Sequence, residues 1–151
     1  MRDKRFIAEH RGGHLKIEEH RLLMTWGYTC VEHILPLLGD EIDERLTKAL
    51  IIAKEWERGN ASVGDARKAS MDCIVVANEL SDPVAIAVAR AVGHAVATAH
   101  MADHSPISAW YALKAVIATG KPAESERKWQ DEQLQPEIRE LVLSVWKTPN
   151  I

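Results

Sequence analysis

Apolar residues recur at intervals of three and four along nearly the whole chain, and the alternation of β-branched and polar residues that marks a strand is almost absent. A chain patterned this way buries helical stripes and has no material for a sheet, so the fold class is all-α. At 151 residues there is room for one hydrophobic core. We expect a compact single-domain bundle of about six to seven helices. Residues 1–15 form an extended entry, 16–120 a helical core and 121–151 a C-terminal helical segment.

Local punctuation divides the pattern. The first helix runs from about Lys16 to Leu35, with Leu23, Trp26, Cys30, Ile34 and Leu37 on one stripe, and Pro36 and Gly39 end it. Asp43 caps a second helix whose core face is Leu46, Ala49, Leu50, Ala53 and Trp56, stopped by Gly59-Asn60. Ser62-Val63-Gly64-Asp65 has capping-box spacing and opens a third helix lined by Ala66, Ala69, Ser70, Cys73, Ile74 and Ala77. Ser81-Asp82-Pro83 starts an alanine-rich fourth helix, and Ser105-Pro106 starts a fifth that carries Trp110, Leu113, Val116 and Ile117 as far as Gly120-Lys121-Pro122. Pro136 opens a last helix, with Ile138, Leu141, Val142, Val145 and Trp146, that docks as a lid.

Charge and composition narrow the function classes. A net charge of −3 without a basic cluster excludes a nucleic-acid binder that works by neutralising phosphates. The least charged stretch, Pro83 to Met101, is alanine and valine with Arg90, His94 and His100 inside it; it reads as a helix buried in protein and not as a membrane span. The basic residues near Met1 lead into Glu9-His10-Arg11 and two glycines instead of an apolar run, so no signal peptide is expected. Two cysteines, Cys30 and Cys73, both on inner helical faces, imply reduced, structural thiols and a cytoplasmic location.

The seven histidines are the chain's one unusual chemical resource. His100 and His104 have the spacing at which one helix face presents two imidazoles to a metal, but Met101 stands where a zinc protease has glutamate, and Ser105-Pro106 follows at once. A hinge in which Asp103 and His104 satisfy backbone groups explains the segment better. Cys30 and His33 lie three apart, yet a cysteine on the core stripe behaves as a small hydrophobe and not as a nucleophile. Arg90, His94 and Thr98 make a polar stripe that needs a partner. We expect an internal ion pair from Arg90 to Asp65, Asp72 or Glu32, with a pocket for an anionic ligand as the alternative. Arg90, His94, His100, Asp103 and His104 together are the chain's best ligand-pocket candidates. No catalytic constellation, metal set or cofactor motif stands out.

Acidic residues gather at Asp40 to Glu44 and between Glu124 and Glu140. The first cluster opens a helix, where negative charge is favourable anyway. In the second, Trp129 with Asp131 and Glu132 would suit a basic protein partner, charge supplying the steering and the indole an anchor.

Five segments in order carry a resemblance: Trp26 to Leu37, Asp43 to Gly59, Val63 to Ala69, Gly93 to His104 and Tyr111 to Val116. Together they resemble the immunity-protein-five-like family of bacteria and archaea, over roughly Leu22 to Val116. Where that family often has an Arg-Lys pair after Asp43-Glu44-Arg45, this chain has Leu46-Thr47-Lys48. The resemblance implies an all-helical cytosolic protein that binds and neutralises a cognate protein toxin without catalysis. Two other readings stay open: a histidine-based or metal-dependent enzyme using His94 to His104, and a helical oligomerisation module such as a homodimer.

Overall fold

The computed structural model describes residues 2–146; Met1 and the end of the C-terminal segment, 147–151, lie outside the described residues. Among the described residues there are seven α-helices and no strand beyond an isolated bridge between Ala8 and Leu15: α1 Ile17–Ile34, α2 Glu44–Glu57, α3 Val63–Glu79, α4 Pro83–Ala97, α5 His104–Ala118, α6 Glu124–Glu132 and α7 Pro136–Val145. The all-α bundle is the expected class.

The caps act where the sequence placed them. Asp43 accepts from the Arg45 amide at 2.9 Å, and Asp82 accepts from the Ala85 amide at 2.9 Å with Pro83 at the first helical position. Ser62 Oγ accepts from the Asp65 amide at 3.0 Å and Asp65 Oδ2 accepts from the Ser62 amide at 3.1 Å, a complete capping box. The fifth helix departs from expectation and starts at His104, one residue before Ser105-Pro106. Pro106 is tolerated there because the amides of a first turn have no intrahelical acceptor.

The entry is coiled and not extended. Lys4–Phe6 and Glu9–Arg11 wind as short 3-10 turns, and the chain returns on itself so that Leu15 N–H donates to Ile7 O at 2.9 Å and Gly13 N–H to Ala8 O at 3.1 Å. Phe6 and Leu15 are buried at its two ends.

Helix α1 lies between two halves of the core. Met24 and Val31 pack with Leu46, Leu50 and Trp56 of α2 and with the alanine and valine side chains of α3 and α4. Leu23, Trp26 and Cys30 face Leu113 of α5, Ile138 and Val142 of α7, and Trp146 just after it. The predicted core face of α2 is buried throughout, but two stripe assignments fail. Leu37 lies in a 3-10 turn after α1 and is 40% exposed, because Pro36 ends the α-helical phase that would have turned it inward. Ile74 is 52% exposed, its place in the core taken by Val76.

Close approach of α3 and α4 depends on Gly93. A β-carbon there would sit 3.2 Å from Cys73 Cβ and 3.7 Å from Ser70 O, so only glycine lets the two backbones come this near without displacement. That contact sets the geometry of the cavity described next.

Candidate ligand cavity

Four of the five pocket candidates meet. Arg90 and His94 from α4, His100 from the following turn and His104 from the start of α5 line one cavity of about 240 Å³, whose opposite wall is Arg67, Ser70, Met71 and Ile74 of α3. Asp103 stands apart: it binds the Arg2 guanidinium through both carboxylate oxygens and ties the entry to the head of α5. Arg67 is the residue that sequence reasoning missed. Spacing puts Arg67, Met71 and Ile74 on one face of α3, next to the buried Ala66–Ala69–Cys73 face, but carries no sign of which helix that face meets.

The histidines do not share a helix face as their spacing suggested. Helix α4 ends at Ala97, His100 lies in the connecting turn, and His104 opens α5, so the i, i+4 pair straddles two elements. What meets instead is His94 and His104, Nδ1 to Nδ1 at 2.8 Å. His94 also stacks on Tyr111, the rings 5.2 Å apart and 8° from parallel. Burial, reinforced by His104 and Arg90, holds the His94 imidazole down at about 4; burial also lowers His100 and His104 from the usual histidine range. His100 Nδ1 is buried and has no hydrogen-bond partner. No group of three histidine, cysteine or acidic side chains among the described residues is arranged to hold a metal ion.

The expected internal ion pair of Arg90 is not formed. Glu32 is bonded to Lys54 at 2.8 Å and Asp65 caps α3, and among the described residues neither Arg90 nor Arg67 makes an ion pair or a side-chain hydrogen bond. The physical reason is exposure: Arg90 is only half-buried and Arg67 is exposed, so neither guanidinium needs a carboxylate to leave water. Among the described residues no carboxylate lines the cavity.

Thr98, the third member of the stripe, caps α4 and is fully buried; its hydroxyl donates to His94 O at 3.2 Å, and its carbonyl accepts from His20 Nε2 at 2.6 Å. The two thiols are free and buried, with burial pushing Cys30 well up and Cys73 to about 12. His33 turns away from Cys30 to bond Glu126 at 2.6 Å and to stack on Trp129 at 3.5 Å.

That stacking changes the second candidate surface. Trp129 is half-buried against His33 and does not stand free. Asp131 is engaged within the fold, accepting from Arg127 at 3.1 Å and from the Trp146 indole at 3.1 Å, whereas Glu132 is exposed. Glu132 shares a shallow surface depression with Glu124, Arg127, Lys128, Arg139 and Leu143, the last at 44% exposure, while Glu137 and Glu140 are exposed elsewhere on α7.

No helix among the described residues is long and apolar enough to cross a membrane. No curated protein and no solved structure matches the chain. A family model does match, over residues 13–137, which extends the region of resemblance past Val116 to take in α6 and the start of α7. With more than half its length matched, the chain belongs to the Imm-5 like putative immunity protein family.

Proposed function

We propose that this chain is a cytoplasmic immunity protein that binds a cognate protein toxin and neutralises it by occlusion, with no turnover and no cofactor. The observation that carries the reading is the family match over residues 13–137. Occlusion requires a surface and not a nucleophile, which agrees with thiols that are buried and held protonated.

The surface we assign to the toxin is the outer face of α6 and α7. On these two helices exposed Glu124, Glu132, Glu137 and Glu140 outnumber exposed Lys128 and Arg139, a modest acidic excess that would steer a basic partner, and exposed Leu143 with the open edge of Trp129 would supply apolar contact. Acidic residues at the rim act mainly on the association rate; an aromatic anchor acts on dissociation.

The test is capture of the product of the adjacent toxin-like gene, followed by kinetics. Glu124→Lys with Glu132→Lys should slow association at least tenfold at low salt, with the thermal midpoint unchanged. Unaltered kinetics would remove α6 and α7 from the interface, and absence of any complex with the wild-type chain would reject the reading itself.

A further inference from the structure

The cavity between α3, α4 and the head of α5 has a charge pattern that the toxin-binding reading does not use. Two guanidiniums, Arg67 and Arg90, reach it from different helices, and neither has an anionic partner among the described residues. After burial and the neighbouring His104, which act most strongly on both, Arg90 adds to the lowering of His94 and Arg67 to that of His100. Uncompensated positive charge facing a concave site, in a chain whose net charge is −3, is a local arrangement and not a consequence of overall composition.

We propose that this cavity binds a small phosphate monoester, its dianionic head between Arg67 and Arg90 and its body against Met71, Ile74 and Ala97. The ligand class follows from charge, shape and size. Two permanently charged guanidiniums match a group that carries close to two negative charges at neutral pH, and guanidiniums bind phosphate oxygens through paired, directional bonds. His100, whose buried Nδ1 lacks a partner, and the His94–His104 pair supply further polar atoms to the same wall. A volume of about 240 Å³ lies just under the usual range for ligand pockets, about 300–1,000 Å³, so the part of the ligand held inside is compact. Met71, at 64% exposure, and Ile74, at 52%, form an apolar rim that favours a monoester over bare phosphate.

The experiment is a calorimetric titration of the full chain at fixed ionic strength with phenyl phosphate, inorganic phosphate, butyrate and sodium chloride. Phenyl phosphate should bind tightest, inorganic phosphate more weakly, and butyrate and chloride should give no saturable heat. Arg67→Gln and Arg90→Gln should each weaken phenyl phosphate at least tenfold, while Arg58→Gln, at an exposed pair with Glu55, should leave it unchanged. Because neither Arg67 nor Arg90 has a partner to lose, both variants should keep the wild-type thermal midpoint. A readout that needs no variant is the proton resonance of the imidazole Cε1–H groups: those of His94, His100 and His104 should move together on titration, and that of exposed His10 should not. Butyrate binding as tightly as phenyl phosphate would overturn the dianion assignment. Saturable binding that survives Arg67→Gln and Arg90→Gln combined in one chain, or the absence of saturable binding to the wild-type chain, would overturn the site. None of these outcomes bears on whether a toxin is bound at α6 and α7, so the two readings fail separately.

Discussion

His94 and His104 face each other Nδ1 to Nδ1 at 2.8 Å, so at any moment one ring must donate and the other accept. Two protonated rings cannot hold that contact, since each Nδ1 would then carry a hydrogen and a positive charge. The contact accommodates at most one proton beyond the neutral pair, and burial, which lowers both imidazoles from the usual range, makes the neutral, singly hydrogen-bonded form the one present at neutral pH.

Stability should consequently depend on pH below neutrality. In the unfolded chain an imidazole titrates near about 6.5, whereas His94 in the fold is held at about 4. Between those values the unfolded state binds more protons, so stability is full above about 6.5 and is lost as pH falls toward 4. For a partly exposed ring, solvent screening reduces the loss to about 1–2 kcal/mol between pH 7.5 and 5. Urea unfolding at the two pH values measures it, and His94→Asn should flatten the difference. An unchanged pH dependence in that variant would show that His94 is not the group whose titration destabilises the fold.

The entry loop offers a sharper packing test. A β-carbon at Gly13 would lie 2.0 Å from the Ile7 carbonyl oxygen, a backbone atom fixed by its bond from Leu15 N–H. At neighbouring Gly12 nothing lies within 4 Å, and the φ of +87° is the only obstacle to alanine. Gly13→Ala should destabilise by about 3 kcal/mol through overpacking and loss of the loop's bonds, and Gly12→Ala by about 1 kcal/mol from left-handed strain alone. Urea midpoints compare the two, and equal losses would mean that the entry is not held as described.

Inside the second core half, Gln130 is fully buried. Its Nε2 donates to Ala109 O at 3.0 Å, but its Oε1 has no partner. The backbone carbonyl of the same residue accepts from the Trp26 indole at 2.8 Å, a bond that any side chain would retain. Gln130→Met keeps roughly the volume and removes the orphaned oxygen, so the change should be neutral or stabilising by up to about 1 kcal/mol. A loss above about 2 kcal/mol on thermal or urea unfolding would show that the amide contributes more than its one bond.

Helix starts at Asp43, Ser62 and Asp82 were legible in the sequence because capping is chemistry within four residues. Helix α5 was misplaced at Ser105-Pro106 because a proline is equally at home anywhere in the first turn, and because Asp103, the N-cap, uses its carboxylate on Arg2 and leaves no capping bond to betray it. Arg90 and His94 were legible as a pair four apart on one helix. Arg67 was not, since it joins them only after Gly93 has let α3 settle against α4, and a contact between helices has no spacing signature. Likewise the stacking of His33 on Trp129 brings together residues from α1 and α6 that nothing local connects, so an indole expected to be free is half covered.

Neutralisation of a toxin is tested most directly by survival. The toxin-like gene adjacent to this one would be expressed from a tight promoter in a sensitive host, alone and together with this chain, and viable cells counted after induction. The account predicts death with the toxin alone, survival with the wild-type chain, and reduced survival with the folded Glu124→Lys, Glu132→Lys variant. Equal killing with and without the wild-type chain, for every adjacent candidate that kills on its own, would contradict it.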